Sequence, residues 1–287
     1  MKIHLVTYAT PRFRHRQMLL GVSARLNHVA DTVTAWTPLK IIKAGFEEQC
    51  KGIKLSERGS GFWSWKSFVI QKKLSEVPDG DLVFYCDVGR RFPYKLLERR
   101  LDPFVSWMAQ NSQDFMPGLR IGWRGPLTVW TKRDAFVIAG MDTPDVHAAS
   151  TVQGSFSLWR ASASSRNFVG QWLDLCSDRR MISDDPSVCG CAEYPGFYEH
   201  RHDQSLLTLC CLKHGARALE MGDQNLPIDT RDPTQVLDFL FHLESREMTF
   251  SGRCLRVFTR LLEYGEGWLR KHWKFGQIMP NHPLARD

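Results

Sequence analysis

Five consecutive apolar residues, Leu82–Cys86, run directly into the carboxylate of Asp87, with Gly89 two positions further on. A strand that is apolar at every position is buried on both faces, as in the central strands of α/β sheets. Ligands of open α/β sheets bind at the carboxyl ends of such strands, and glycine lets a ligand approach the backbone closely. An ordinary turn is the alternative, since turns favour Asp and Gly. Asp87 and Gly89 are therefore the first candidate site residues.

Strand and helix patterns alternate around this segment. Apolar spacing predicts strands at 3–8, 32–36 and 82–86, separated or followed by helices at 12–26, 64–77 and 94–110. Such an order predicts an α/β, Rossmann-like fold with a mostly parallel central sheet flanked by helices. Further predicted elements are, in chain order, a helix at 132–139, a strand at 155–159, a helix at 161–176, a long loop at 181–198, a helix at 202–213 and a strand at 216–219.

The C-terminal segment differs in composition from the rest, so we expect a main domain at 1–245 and an amphipathic helical extension at 246–287. Its apolar residues recur near helical spacing, and basic residues fill the gaps. A basic amphipathic helix with Trp can lie on an anionic membrane surface. A helix docked on the body with a solvated basic face explains the pattern equally well.

Composition limits the classes of possible binding partner but does not identify one of them. The formal net charge of +7 favours nucleotide phosphates, nucleic acid or an acidic membrane surface. The eight cysteines include no Cys-x-x-Cys pair, which is typical of reduced thiols. The N-terminus runs straight into a strand pattern without the apolar core of a signal peptide. We therefore expect a cytoplasmic protein, with peripheral membrane contact as an option.

A second candidate cluster is residues 58–66, RGSGFWSWK. A glycine-rich turn that opens a helix, with Arg58 and Lys66 at its two ends, is suited to bind phosphate. The alternative is a loop-to-helix junction with tryptophans in the core. The cluster is neither the dinucleotide-binding fingerprint nor a P-loop, because the later residues of both motifs are missing.

The third cluster is residues 200–205, HRHDQS, at a predicted helix start. Asp203 and Gln204 can present a carboxylate and an amide to a cleft, although an acid at this position also simply favours the helix dipole. Cys189, Cys191, His200 and His202 could together ligate zinc, but their spacing does not match the usual structural sites.

Taken in order, these clusters resemble the bacterial and viral glycosyltransferases of the nucleotide-diphospho-sugar transferase (GT-A) superfamily. The resemblance rests on 59–66 (GSGFWSWK), 80–89 (GDLVFYCDVG) and 200–205 (HRHDQS), and 130–134 and 153–156 are also similar to that family. It covers roughly residues 1 to 245. It implies transfer of a sugar from a nucleotide-diphosphate donor to a glycan, lipid-linked or other hydroxyl acceptor.

The resemblance also implies roles for individual residues. Asp87 is the acid near the donor ribose or a metal ion, Lys66 faces the diphosphate, and Asp203 with Gln204 lies beside the anomeric carbon. The remaining donor-binding candidates are Arg58, Trp65, Gly89 and His202.

The same resemblance raises the question of a metal ion. Gly89 replaces the second acid of the family's motif, which puts dependence on Mn²⁺ or Mg²⁺ in doubt. A C-terminal His242 could supply a further ligand, although its apolar neighbours fit a packed histidine equally well. The Asp203–Gln204 pair resembles the retaining members of the family.

The positive charge, considered by itself, is also consistent with a different function. Net +7 and the basic C-terminal segment also suit a non-catalytic module that binds an anionic membrane or nucleic acid. No recognised nucleic-acid motif is present, so we expect no nucleic-acid partner.

Overall fold

The computed structural model of the chain describes residues 1–88 and 101–220, together with 254–255, 257–259 and 261–262. The side chains of Trp123 and Arg124 are not described. Gly89, His242, the domain boundary at 245/246, the first part of the predicted helix 94–110 and most of the C-terminal extension lie outside these residues.

The fold is α/β, as predicted, with a central sheet of five strands in the described residues. The strands are β1 (Ile3–Tyr8), β2 (Thr32–Trp36), β3 (Leu82–Cys86), β4 (Phe115–Met116) and β7 (Phe156–Arg160), in the order β2-β1-β3-β7-β4. The first three strands have the predicted bounds. A separate pair, β5 (Leu119–Pro126) and β6 (Ser150–Gln153), was not predicted.

The expectation of a mostly parallel sheet needs correction, because the sheet is mixed. β1 pairs in parallel with β2 and β3, whereas β7 is antiparallel to both β3 and β4. Apolar periodicity reports burial and not strand direction, so it missed this reversal. The predicted strand at 216–219 is reduced to a single bridge between Leu119 and Leu219.

Helices cover both faces of the sheet. They are α1 (Arg14–Leu26), α2 (Pro38–Lys43), α3 (Phe46–Gln49), the helical turn α4 (Arg58–Phe62), α5 (Trp65–Glu76), α6 (Asp102–Gln110), α7 (Arg133–Ile138), α8 (Pro144–Ala148), α9 (Ala163–Ser177), α10 (Arg179–Ile182) and α11 (Asp203–Lys213). Short 3-10 turns cover Pro11–Phe13 and Leu127–Val129.

The apolar run of β3 is explained by two cores. Val83 and Tyr85 pack into the core that contains residues of α5, α9 and α11. Leu82, Phe84 and Cys86 point the other way, into the core that contains residues of α1 and α6. Side chains alternate along a strand, so Asp87 continues the face of Tyr85, toward α5.

The strand order defines where a ligand can bind. From β1 the chain crosses to β2 on one side, and it later enters β3 on the other side of β1. The carboxyl ends of β1 and β3 therefore flank a topological switch point, which is where open α/β sheets bind ligands. Tyr8 and Asp87 lie at this edge.

In the described part of the C-terminal extension, 254–255, 257–259 and 261–262 are helical. Val257, Phe258 and Leu261 are 60%, 52% and 67% exposed. Among the described residues, no helix is both long and apolar enough to cross a bilayer.

Candidate functional site

The ammonium of Lys66 lies between two carboxylates at the switch point. Its Nζ is 2.8 Å from Asp203 Oδ2 and 3.9 Å from Asp87 Oδ1. The contact with Asp203 is a close ion pair. Lys66 and Asp203 are buried, whereas the Asp87 side chain is 33% exposed. Asp87 therefore forms the solvent-facing side of a three-charge cluster.

Asp87 is held by Tyr85 of β3 and by Ser155, which lies just before β7. Its backbone N–H donates to Ser155 O at 2.9 Å, and the buried Tyr85 hydroxyl donates to its Oδ1. Gly154 lies against the charged pair, and a Cβ at this position would be 3.8 Å from both Asp203 Oδ2 and Lys66 Nζ. The 153–156 segment thus closes one side of the site with backbone alone.

Burial and charge act in opposite directions on the buried pair. Burial raises the pKa of Asp203 to about 6; the charge of Lys66 lowers it and that of Asp87 raises it further. Burial alone would lower the pKa of Lys66, but the charges of Asp203 and Asp87 outweigh burial and raise it. Lys66 therefore remains an ammonium ion at neutral pH.

Lys66 reaches this position through a left-handed turn. Gly59, Ser60, Gly61, Phe62 and Trp63 all have positive φ, between 55° and 88°. Left-handed backbone is strained for the three residues that carry a Cβ, and such strain is concentrated at functional sites. The glycine-rich turn predicted ahead of the helix is present, but its backbone is left-handed, whereas α5 is a right-handed helix.

Two contacts fix the turn to β1. The Tyr8 hydroxyl is 2.7 Å from Ser60 Oγ, and the Tyr8 ring stacks on Trp65 with centroids 4.0 Å apart. Trp65 Nε1 donates to Gly59 O at 3.0 Å. Burial raises the pKa of Tyr8 to about 12, so the hydroxyl stays neutral. Trp65, a predicted donor-binding residue, is itself buried in the core.

His202 packs against the left-handed turn from the other side. Its ring centroid is 5.4 Å from those of both Phe62 and Trp63, and its own φ is 49°. Nδ1 donates to Ile182 O at 2.9 Å. Burial lowers the pKa of His202, so the ring is neutral and Nε2 carries a lone pair. Nε2 lies 3.5 Å from Asp184 Oδ1 without forming a hydrogen bond.

The segment that contains His202 carries unsatisfied polar atoms. Arg201 Nε, His202 Nε2 and Gln204 Nε2 are buried and have no hydrogen-bond partner among the described residues, whereas Asp203 Oδ2 has the Lys66 ammonium as its ion-pair partner. Three such atoms within four residues are unusual, because buried polar atoms are normally paired. A bound ligand would supply the missing partners.

A cleft of about 440 Å³ adjoins this segment. Arg58, a predicted donor-binding residue, lies beside it, with Nη1 3.5 Å from Asp184 Oδ1 and Nη2 3.5 Å from Glu199 Oε2. Arg58 is thus separated from Lys66 by the turn. Most of the cleft lining comes from 183–199, which overlaps the long loop predicted at 181–198, and Lys132 and His200 complete it.

Two buried residues anchor this loop. Asp134 accepts backbone hydrogen bonds from Val188 and Cys189, at 2.9 and 2.8 Å. Lys132 Nζ donates to Asp185 O at 2.6 Å. The loop is therefore tied to the start of α7.

In the described structure, the hydrogen bonds of His200 do not suit zinc binding by Cys189, Cys191, His200 and His202. Its Nδ1 accepts from Lys132 N–H and its Nε2 donates to Met181 O, which occupies both ring nitrogens. In the described ranges, no group of three or more His, Cys, Asp or Glu side chains is placed to hold a metal ion.

The donors around Asp87 do not fit a divalent ion either. The described site offers one partly exposed carboxylate, whose Oδ1 already accepts from Tyr85 and faces the Lys66 ammonium. Mn²⁺ and Mg²⁺ require several oxygen ligands, and a nearby ammonium repels them. Because Gly89 and His242 lie outside the described residues, Mn²⁺ or Mg²⁺ binding remains a prediction.

Comparison with known proteins adds no family assignment. No protein-family model matches the chain, and no curated protein matches it.

The structure thus brings Lys66, Asp87 and Asp203 together. Gln204 follows Asp203 in the chain, and His202 lies against Asp184, which lines the cleft. The sequence assigned no site role to Tyr85, Gly154 or Asp184, although the first two lie in segments that carry the family resemblance. Tyr85 could have been found, since it lies two positions before Asp87 on the same strand face. No sequence pattern indicated Asp184, because only the folded loop brings it close to His202.

Proposed function

We propose that the protein is a GT-A-like glycosyltransferase that moves a sugar from a nucleotide-diphosphate donor to a hydroxyl acceptor. The observation that carries the proposal is the buried Lys66 ammonium, held between Asp87 and Asp203 at the β1/β3 switch point. The order of the motifs along the chain supports it independently.

In this reaction the acceptor hydroxyl oxygen bonds to the anomeric carbon as the bond from that carbon to the diphosphate oxygen breaks. The electron pair leaves with the diphosphate, and the hydroxyl proton is released. Negative charge grows on the diphosphate, so a preorganised cation there lowers the barrier. Lys66 is our candidate for that cation.

The other site residues then have complementary roles. The exposed side of Asp87 accepts hydrogen bonds from the donor ribose. Asp203 and Gln204 lie beside the anomeric carbon, where the unpartnered Gln204 Nε2 can donate to a sugar oxygen. This arrangement favours a retaining reaction, in which a group on the opposite face of the sugar stabilises an oxocarbenium-like state.

The test is donor hydrolysis by the full chain across UDP-, GDP- and dTDP-sugars, with Mn²⁺, with Mg²⁺ and with EDTA. We expect turnover of at least one donor and a loss of about 100-fold or more in Lys66→Met, Asp87→Asn and Asp203→Asn. Lys73→Met is the matched control, because Lys73 lies on the same helix and pairs with Glu76 instead. Absence of nucleotide binding by the folded chain contradicts the proposal.

A peripheral membrane role is the second candidate, and the exposed Val257, Phe258 and Leu261 favour it. Apolar side chains beside basic residues suit the surface of an anionic bilayer. We expect the full chain to sediment with anionic but not neutral vesicles at low salt, and deletion from Arg253 onward to abolish this. If the truncated chain still bound anionic vesicles, the membrane-binding surface would lie outside the deleted segment.

A further inference from the structure

The donor roles proposed for Lys66, Asp87, Asp203 and Gln204 do not use the cleft beside the 183–199 loop, because none of the four lines it. Its volume of about 440 Å³ suits one or two sugar rings. Side chains of both signs, hydroxyl groups and one aromatic ring line it: Lys132, Asp184, Asp185, Ser187, Glu193, Phe197, Glu199 and His200.

The charges around the cleft are already paired. Asp184 and Glu199 face Arg58, and Asp185 accepts from Arg179 Nε at 2.8 Å. Glu193 accepts from the Ser187 hydroxyl and from Arg133 N–H. Lys132 is 3.7 Å from Asp134. A charged ligand would have to displace one of these pairs, whereas a hydroxyl can donate to the free lone pairs of the carboxylates.

Phe197 contributes an aromatic ring to the apolar part of the lining, beside Pro186 and Cys191. An aromatic face beside fixed hydrogen-bond acceptors complements a pyranose ring, which has an apolar face and hydroxyls at its edge. A uronic acid or sialic acid would bring a carboxylate next to Asp184 and Glu199, at a cost in repulsion.

A second observation connects the cleft to the site. His202 is 2% exposed, and its unpartnered Nε2 faces Asp184, which lines the cleft. The neutral ring can accept a hydrogen bond from a ligand hydroxyl at this position. The next residue in the chain is Asp203, which pairs with Lys66, so the start of α11 connects the cleft to the charged cluster.

We propose that this cleft binds the acceptor of the transfer reaction and that the acceptor is a neutral saccharide. The acceptor role of the bound saccharide rests on the proposed function. The recognition of neutral sugars rests on the lining of the cleft itself.

The test separates these two parts. Saturation-transfer NMR on the full chain measures binding of methyl glycosides of neutral hexoses and, in parallel, of the corresponding uronic acids. We expect the neutral glycosides to bind and the uronic acids to bind at least about fivefold more weakly. Phe197→Ala should weaken neutral-sugar binding about tenfold through loss of the ring contact. Val188→Ala is the control, because Val188 lies on the same loop with an exposed side chain outside the cleft.

Donor hydrolysis is measured on the same samples. If donor is hydrolysed but neutral glycosides do not bind, or bind equally well to Phe197→Ala, the cleft assignment is overturned. If neutral glycosides bind at the cleft but no nucleotide sugar binds or turns over, the saccharide site stands and the glycosyltransferase proposal fails. Tighter binding of uronic acids than of neutral sugars also overturns the inference.

Discussion

Lys66 Nζ and Asp203 Oδ2 lie 2.8 Å apart, and both side chains are buried. Lys66 lies at the start of α5 and Asp203 at the start of α11, so the pair joins two helices that are distant in sequence. The cost of burying each charge is offset only while its partner is present.

Asp203→Asn should therefore destabilise the fold. The neutral amide leaves the Lys66 ammonium buried with only Asp87, 3.9 Å away, as a counter-charge. We expect the free energy of unfolding in urea to fall by about 3 kcal/mol. Asp114→Asn, which removes the half-exposed partner of Arg160, should change it by less than about 1 kcal/mol. The double variant Lys66→Met/Asp203→Asn should be more stable than Asp203→Asn; equal or lower stability would mean that the buried ammonium is not the cause.

Donor turnover should fall as the pH drops below about 6. Burial raises the pKa of Asp203 to about 6, so its carboxylate becomes protonated below that pH and loses its charge beside the anomeric carbon. The pH–rate profile should show an acid limb with a midpoint near 6. A profile that is flat down to pH 5 would exclude an ionised Asp203 from the reaction.

The neighbours of Asp203 should shift this titration in opposite directions. Asp87→Asn removes a negative charge that raises the pKa of Asp203, so the midpoint should move to lower pH. Lys66→Met removes a positive charge that lowers it, so the midpoint should move up. Carboxyl ¹³C NMR of the folded variants measures both shifts, whether or not the variants retain activity. Shifts of the same sign would contradict the three-charge cluster.

Gly59→Ala should test the left-handed turn. A Cβ at Gly59 would lie 2.4 Å from the Trp63 ring, in addition to the strain of a positive φ. Gly80 has a positive φ as well, but a Cβ there meets nothing within 4 Å. We expect Gly80→Ala to lower the free energy of unfolding by about 1 kcal/mol and Gly59→Ala to lower it by a further 2 kcal/mol or so. Chemical denaturation compares the two, and equal losses would show that the turn relaxes around the new methyl group.

Asp134→Ala should release the loop that forms the cleft. Asp134 is buried and accepts from the backbone of Val188 and Cys189, so its removal leaves two N–H groups without partners. Hydrogen exchange at these two amides should accelerate by about tenfold or more. Asp145→Ala, on an exposed turn of α8, is the control and should leave both rates unchanged. Unchanged exchange in Asp134→Ala would mean that other contacts anchor the loop.

The local elements could be predicted because their signals are local. The bounds of β1, β2 and β3 follow from short apolar runs, and α5 and α11 from apolar spacing next to turn and helix-start residues. Asp87, Lys66 and Asp203 could be nominated because each lies at the end of such an element. The direction of β7 could not be predicted, since side-chain alternation is the same for a strand that runs either way.

The chain sequence by itself therefore determined β1, β2, β3, α5, α11 and the acid at the tip of β3. Only the tertiary structure decided that Lys66 lies between Asp87 and Asp203 and that Tyr85 donates to Asp87. It also decided that Asp184, which lines the cleft, contacts His202. The physical reason is distance along the chain, because Lys66 and Asp203, more than a hundred residues apart, meet only after strand order and helix packing have brought them together.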